Sequence, residues 1–324
     1  ARRIQRLARN PPATADASSL AAWLARTIRQ PAARALIAMH AELVFATDPA
    51  DLSLLHYLRT FATTGGFGPG GPELPGGGHE HRFDGGAQAV ALALAARLPA
   101  DTVRLSSPVR AIAQTADSIT ASVDGATFTA THVVLALPPA LTRSIDIALP
   151  DAARRTIDAS RLGAVVKCFA AYARPFWRDA GLSGEAYRPD GDIRATVALE
   201  PPPDRAAPSI LLAFVVGPVA TAWHTRTGDD RRATVLAAFT EQFGDAAAEP
   251  LDYTEVDWST DPWSAGCVAS LPPGVLSAGA TWREPHGRIH FAGTESATTW
   301  PGYMEGAIEA GERAAAEILA HRSN

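Results

Sequence analysis

Apolar positions recur every three or four residues across residues 17–60, which is the spacing of one helix face. The segments SSLAAWLARTI and PAARALIAMHAELVFA both carry this pattern. Asp48-Pro49-Ala50-Asp51 predicts the start of a further helix, LSLLHYLRTF. A glycine- and proline-rich tract from Gly65 to Gly78 then predicts a loop. No strand pattern precedes the tract, so its glycines do not predict a phosphate-binding loop.

The middle of the chain changes to strand patterns after one more helical run, AVALALAARL. Asp124-Gly125 separates two alternating runs, SITASV and ATFTATHVVLAL, and predicts a β-hairpin. Val133 to Leu137 is a continuous apolar run closed by prolines, which favours a strand in a covered sheet. From about residue 150 to 256 strand and helix patterns are mixed. Together these patterns predict a chain of the α/β (α+β) class.

The last part of the chain predicts a strand, a turn and a long helix. Ile289 to Ala292 is apolar, Gly-Thr-Glu follows, and Trp-Pro-Gly-Tyr leads into a helix near Tyr303-Met304. The free N–H groups of a helix N-terminus suit an anion. The helix is expected to turn an apolar stripe to the core and charged residues to water: Met304, Ala307, Ile308, Ala314, Ala315, Ile318 and Leu319 against Glu305, Glu309, Glu312 and Arg313.

Composition narrows the class of protein. The chain has 324 residues, 47% of them hydrophobic and 19% charged, which suits a globular protein of about two domains. A net charge of −5 gives no electrostatic case for nucleic acid. The basic amino terminus lacks the apolar stretch of a secretory signal, and no run is long enough to cross a membrane. We therefore expect a cytoplasmic protein.

Cysteine and histidine usage predicts neither a disulfide framework nor a metal site. Cys168 and Cys267 are the only cysteines and lack metal-ligand spacing. His79 and His81 flank Glu80, but two ligands without a third are weak evidence for a metal.

The carboxy-terminal sequence motifs FAGTE, W-P-GYMEGA and AGERAA closely resemble the flavin-binding segment of the flavin-containing monoamine oxidase family. The stretch from FDGGAQAV to VVLALPP resembles that family's middle flavin-domain segment. The resemblance implies the two-domain FAD-dependent amine oxidase fold, in which FAD-binding and substrate domains are interleaved. It divides this chain into helices of the substrate domain (1–79), an FAD-binding segment (80–149), the substrate-domain sheet (150–256) and a terminal FAD-binding segment (257–324).

The resemblance also implies which residues contact FAD. The turn Gly293-Thr294-Glu295 would meet the ribityl and pyrophosphate groups. The helix start at Gly302, Tyr303 and Met304 would face the flavin N1 and C2 carbonyl. Val109 would bind adenine through its backbone, and Trp258 would pack near the isoalloxazine.

Lys167 is the only lysine in the chain, and on a strand it would share a face with Val165 and Phe169. The residues alone leave two readings open: a lysine that extends along an apolar surface to reach water, or an ammonium with a function. The run GAVVKC, followed by PFW, resembles the family segment whose lysine holds a water near flavin N5. On the resemblance, Lys167 and Tyr303 are the candidate catalytic residues.

Cys267 and Val268 mark two departures from the family pattern. The matching family cysteine forms a thioether to the flavin, but here Ala265 replaces a neighbouring glycine, so covalent attachment stays open. Tyr303 matches one wall of the family's aromatic cage, whereas Val268 stands where the second ring is expected. We therefore predict a substrate pocket that includes Val268 and Trp300, and the identity of the amine stays open.

The chain contains no G-x-G-x-x-G turn between a strand and a helix, which is the usual seat of an FAD pyrophosphate. The resemblance thus implies that the N-terminal Rossmann part of the family fold is missing from these residues and is carried by another chain or another part of the protein. We expect this polypeptide alone to bind FAD poorly.

The implied reaction is oxidation of an amine: a hydride passes from the α-carbon to flavin N5, dioxygen becomes hydrogen peroxide, and the imine is hydrolysed. The expected partners are a small-molecule amine and dioxygen, with a dimer left open. Two alternatives remain, an amino-acid or polyamine oxidase of the same superfamily and a flavin-free interaction protein.

Overall fold

The computed structural model describes residues 2–64, 81–202, 204–279 and 281–321. The predicted loop from Gly65 to Gly78, together with His79 and Glu80, lies outside the described residues. The described part contains ten α-helices: α1 (Arg2–Arg9), α2 (Leu20–Thr27), α3 (Pro31–Phe45), α4 (Leu54–Thr63), α5 (Gln88–Ala95), α6 (Pro139–Thr142), α7 (Asp151–Ala159), α8 (Pro218–Trp223), α9 (Gly228–Phe243) and α10 (Met304–His321).

Thirteen strands accompany these helices in the described part of the chain: β1 (Val109–Gln114), β2 (Ile119–Val123), β3 (Ala126–Ala130), β4 (Val133–Leu135), β5 (Asp146–Ile147), β6 (Arg161–Leu162), β7 (Val165–Tyr172), β8 (Ala186–Tyr187), β9 (Ala195–Leu199), β10 (Ser209–Val216), β11 (Asp252–Asp257), β12 (Ala269–Ser270) and β13 (Ile289–Phe291). The mixture of helix and sheet confirms the predicted α/β (α+β) class.

The chain divides into two compact units, each built from separated segments. The first unit comprises Ala1–Pro12, Leu58–Asp158 and Gly279–Asn324. It holds a four-stranded sheet in the order β3-β2-β1-β5 and the parallel pair β13-β4. Its buried core is mostly aliphatic, with the Trp282 and Phe291 rings 4.5 Å apart.

The second unit comprises Ala13–Tyr57 and Ala159–Ala278. Its five-stranded sheet has the order β11-β7-β10-β9-β8, and each strand is antiparallel to its neighbours. One face of β7 and β10 packs with α9 in a core that includes Trp177, Trp223 and Phe239. Thr227 begins α9 by accepting a hydrogen bond from the Asp230 amide (3.2 Å), a normal N-cap.

The predicted hairpin is confirmed, because β2 and β3 pair antiparallel on either side of Asp124-Gly125 and Gly125 has φ 79°. The helix predicted from Asp51 begins later, at Leu54. The Asp48 carboxylate accepts a hydrogen bond from the Ala50 amide, which forms a turn, and Ser53 forms an isolated β-bridge with Ser19. Residues 48–53 are therefore not helical, and the helix starts after them. The strand predicted from Val133 exists, but Val134 is 41% exposed, so the described residues do not cover both faces of β4.

The prediction for the face of α10 is wrong for most of its apolar positions, although Ala314 is buried and Glu305 and Glu312 are exposed as predicted. The buried positions are Gly306, Ala310 and Ala314, whereas Met304, Ile308 and Leu319 are exposed. Arg313 was expected to face water, yet its guanidinium donates to the Phe291 carbonyl (2.6 Å) and the Ser296 hydroxyl (2.9 Å). The inward face therefore combines small residues with charged side chains that satisfy buried backbone and hydroxyl groups, and at Gly306 the missing side chain lets the helix approach Trp300 and Thr294 closely.

No described helix is both long enough and apolar enough to span a lipid bilayer.

Candidate active site

The turn after β13 is joined to the start of α10 by one hydroxyl group. Thr294 Oγ1 donates to the Tyr303 carbonyl (2.9 Å) and accepts from the Gly302 amide (2.8 Å). Gly293 must be glycine, since a Cβ there would lie 2.7 Å from the Leu137 carbonyl oxygen. The turn, Gly302 and Tyr303 therefore form one fixed unit in front of the helix N-terminus at Met304.

Trp300 and Tyr303 form an edge-to-face pair with ring centroids 5.1 Å apart. Trp300 has φ 51°, a left-handed conformation that a bulky residue adopts only when its surroundings require it. Both rings are half-buried, so each keeps accessible surface. The pair offers an aromatic wall next to the helix N-terminus.

Glu295 is mostly buried, and its Oε2 has no hydrogen-bond partner among the described residues. Burial raises the pKa of this carboxyl. An unpaired oxygen of this kind is costly in a folded protein, which suits a partner supplied by a ligand. The turn at 293–295 thus combines a glycine that lets a ligand come close to the backbone with a carboxyl oxygen that lacks a hydrogen-bond partner among the described residues.

Lys167 lies on β7, opposite Phe214 of β10 and Val256 of β11. It shares its sheet face with Val165 and Phe169, as predicted. Its ammonium lies 5.4 Å from the centre of the Phe214 ring, a cation–π distance. Within the described part of the chain no carboxylate forms an ion pair with it. A half-buried ammonium with an aromatic neighbour and no counter-ion can bind water or a ligand.

Cys267 is exposed, and its backbone is held against the residues that precede β7. Its amide donates to the Gly163 carbonyl (2.8 Å), and the Trp258 amide donates to the Val165 carbonyl (3.1 Å). The preceding Ala265 has φ 54°, and a Cβ on Gly266 would lie 2.6 Å from the Gly163 oxygen. The thiol is thus presented by a loop whose backbone path is fixed.

The structure therefore places the predicted site residues in two groups, one in each unit. Trp258, Cys267 and Val268 lie beside the start of β7, the strand that carries Lys167. The first unit holds the turn and helix tip, with Val109 at the start of β1 packed against the same core as β13: Gly293, Thr294, Glu295, Trp300, Gly302, Tyr303 and Met304. Among the described residues, no three His, Cys, Asp or Glu side chains are arranged to hold a metal ion.

Sequence reasoning missed two residues that shape this tip, Gly306 and Glu309. A Cβ on Gly306 would lie 2.3 Å from the Trp300 carbonyl oxygen. The Glu309 carboxylate binds the loop before Trp300. The only available signal was a glycine inside a helical pattern, which often marks close packing. Nothing in the sequence pattern separates Glu309 from its exposed neighbours.

Comparison with known proteins identifies the family of the chain. The model of the flavin containing amine oxidoreductase family matches residues 4–319. A putative flavin-containing monoamine oxidase, AofH, of Mycobacterium tuberculosis is 34% identical over 331 residues, covering 98% of this chain and 71% of the relative. A probable flavin-containing monoamine oxidase A of Dictyostelium discoideum is 32% identical over 308 residues, covering 94% and 67%.

Solved structures of amine oxidases have the same fold as this chain. Cyclohexylamine oxidase from Brevibacterium oxydans superimposes with a TM-score of 0.90 at 28% identity, covering all of this chain and 74% of that one. Wild-type putrescine oxidase bound to putrescine gives 0.88 at 29% identity, covering 98% and 74%. With its turn, helix tip and strand lysine, the chain belongs to the family of flavin-containing amine oxidoreductases, enzymes that oxidise amines.

Proposed function

We propose that this chain oxidises a primary or secondary monoamine, with FAD as cofactor, dioxygen as final acceptor and hydrogen peroxide as by-product. Bound FAD supplies the hydride acceptor at N5. The observation that carries the proposal is the turn at 293–295 joined by Thr294 to the tip of α10, within a family match over residues 4–319.

The residues of the turn fit a flavin nucleotide. Gly293 lets a ligand approach the backbone, and the unpartnered Glu295 oxygen suits a ribityl hydroxyl. The helix N-terminus at Met304 favours negative charge, which suits the flavin N1 and C2 carbonyl region. We assign Gly293, Thr294, Glu295, Gly302, Tyr303 and Met304 to flavin binding, with the Val109 backbone for adenine and Trp258 for the ring system.

The aromatic pair and the lysine have separate tasks in this proposal. Tyr303 and Trp300 present ring faces and edges to the amine, and an apolar pocket favours its neutral form over the ammonium. Lys167 holds a water molecule and orients it for proton transfer, which its unpaired ammonium allows.

A diamine or polyamine oxidase is the second candidate. It is favoured by one observation, that the TM-score to putrescine oxidase (0.88) nearly equals that to cyclohexylamine oxidase (0.90). An amino-acid oxidase would need an arginine for the substrate carboxylate, and the many arginines of the chain single none out.

We further propose that Cys267 would form a thioether with the methyl carbon of the flavin, since its thiol is exposed on a fixed loop. The S–H and one methyl C–H bond would break, the flavin would take up the two hydrogens and two electrons, and dioxygen would reoxidise it with release of hydrogen peroxide. We also propose that the protein is cytoplasmic and that the FAD pyrophosphate is held by residues outside these 324, on the same protein or on another chain. The proposal also divides the chain into substrate-domain segments at 1–79 and 150–256 and FAD-binding segments at 80–149 and 257–324.

A spectrum of the purified holoenzyme and a turnover assay test the function together. We expect flavin absorption bands, peroxide release with cyclohexylamine or benzylamine, and colour that stays with the acid-precipitated protein through Cys267. Lys167→Met should retain the bands and lose at least about 100-fold in turnover, the lower range for a positioned proton-transfer group. The test applies to the chain purified together with the residues that hold the FAD pyrophosphate. If that holoenzyme is colourless, or is a flavoprotein inert to every amine, the proposal is overturned in favour of a flavin-free interaction protein or a different substrate class.

A further inference from the structure

The segment between the flavin-binding turn and α10, residues 297–300, is held by a side chain from the helix that follows it. Glu309 Oε2 accepts the Thr298 amide (2.7 Å) and the Thr299 amide (3.4 Å), and its Oε1 accepts the Thr298 hydroxyl (2.9 Å). One carboxylate thus satisfies three donors of a short, irregular segment. Hydrogen bonds to a charged acceptor are the stronger kind.

A second set of contacts fixes the beginning of the same segment. Arg313, one helical turn after Glu309, donates to the Ser296 hydroxyl (2.9 Å). Arg283 donates to the Ser296 carbonyl (2.9 Å) and lies 3.7 Å from the Glu309 carboxylate. Arginines therefore anchor Ser296, the residue just before the segment, and Glu309 alone among the described side chains binds the middle of the segment.

The far end of the segment is Trp300, whose backbone is under strain. Its φ of 51° is unfavourable for a large side chain, and its carbonyl lies against Gly306. Among the described residues its amide makes one hydrogen bond, a long one of 3.4 Å to the Thr63 carbonyl, whereas its carbonyl accepts the Tyr303 amide at 3.1 Å. The N-terminal side of Trp300 is therefore the weakly held side, and it depends on the preceding residues Thr298 and Thr299.

We propose that Glu309 is a positioning residue for amine oxidation, which holds Trp300 in its strained conformation so that the Trp300–Tyr303 pair keeps the orientation that binds the amine. This inference rests on the proposed function, since it gives the aromatic pair its role in the pocket. It adds a residue that touches neither the amine nor the flavin in that proposal.

Three variants separate geometry from charge. Glu309→Ala removes all three acceptor contacts. Glu309→Gln keeps the amide oxygen for the two backbone donors, and its NH2 group can donate to the Thr298 hydroxyl, so it loses mainly the charge. Glu312→Gln is the matched control, since Glu312 is an exposed carboxylate three residues further along the same helix.

The experiment measures hydrogen exchange at residues 297–303 and steady-state kinetics with cyclohexylamine in the holoenzyme. In Glu309→Ala we expect faster exchange at Thr298 and Thr299 and a KM raised about tenfold, with kcat changed less, because a displaced aromatic wall weakens amine binding first. Glu309→Gln should restore most of both, and Glu312→Gln should match the wild type.

Exchange rates identical in Glu309→Ala and wild type would show that the carboxylate does not hold the segment and would overturn the inference. Faster exchange with unchanged KM and kcat would overturn the positioning role while leaving amine oxidation intact. If the wild type oxidises no amine, the proposed function fails and the kinetic role with it, while the exchange data still report on the contact itself.

Discussion

At the scale of single residues, His40 shows how burial sets a charge state. Its Nδ1 lies 3.2 Å from the Tyr57 hydroxyl, and the two rings meet edge to face at 6.0 Å. Burial lowers the pKa of His40 to about 4 and raises the pKa of Tyr57. Both groups are therefore neutral in the folded protein at pH 7.

The lowered pKa of His40 predicts a loss of stability on acidification. Between pH 6.5 and about 4 the unfolded chain binds a proton at this residue and the folded chain does not, so the free energy of unfolding falls as pH falls. The expected contribution of His40 is about 2 kcal/mol between pH 7 and pH 5. Urea midpoints measured over this range check the slope.

His40→Gln keeps a hydrogen-bonding group near Tyr57 and cannot titrate, so its stability should depend less on pH than that of the wild type by this amount. His224→Gln, at an exposed histidine, is the control and should retain the wild-type slope. A His40→Gln protein with an unchanged slope would contradict the prediction.

Residue roles were only partly predictable from sequence. Lys167 was identified because it is unique and because its surroundings resemble a family segment, and its strand face was predicted correctly from the period of two. Glu309 and Glu312 look alike in sequence, yet Glu309 binds three donors and Glu312 is exposed. Which carboxylate faces the loop depends on the path of residues 297–300, and no local pattern encodes that path.

At the scale of elements, hairpins and long helices were predictable because local chemistry decides them. Gly125 supplies the positive φ between β2 and β3, and Thr227 caps α9. The inward face of α10 was not predictable from hydrophobicity. Close packing against Trp300 and Thr294 requires glycine at 306, and Arg313 turns inward where its guanidinium donates to the Phe291 carbonyl.

This packing of α10 predicts opposite effects for two glycines of the same helix. Gly306→Ala would put a Cβ 2.3 Å from the Trp300 carbonyl and 2.8 Å from Thr294 Oγ1, so it should destabilise the protein by about 1–3 kcal/mol. Gly311→Ala meets nothing within 4 Å and should stabilise by up to about 1 kcal/mol, because alanine favours the helix. Denaturant unfolding of both variants measures the difference, and equal effects would show that Gly306 is not a close-packing position.

At the scale of the whole molecule, the fold class and the family were predictable from one long sequence segment near the carboxyl terminus, which resembles the family's flavin-binding segment. The family match over residues 4–319 and the TM-score of 0.90 confirm both. The choice of amine was not predictable, because the choice between similar amines depends on the detailed shape of a pocket and not on the fold. Specificity of that kind comes from small differences in binding energy.

The letters G-x-G-x-x-G occur at residues 66–71, but no strand pattern precedes them. The lack of a G-x-G-x-x-G turn between a strand and a helix pattern in these 324 residues leads to the last prediction. In dinucleotide-binding folds that turn and its helix hold the pyrophosphate. The turn at 293–295 and the N-terminus of α10 offer only part of an FAD-binding site. We expect this polypeptide, purified alone, to bind FAD weakly and to show no amine turnover. Quenching of flavin fluorescence during titration measures the affinity, with FMN, which lacks the adenylate, as the comparison. Tight stoichiometric FAD binding with turnover would mean that these residues hold the pyrophosphate by a different structure.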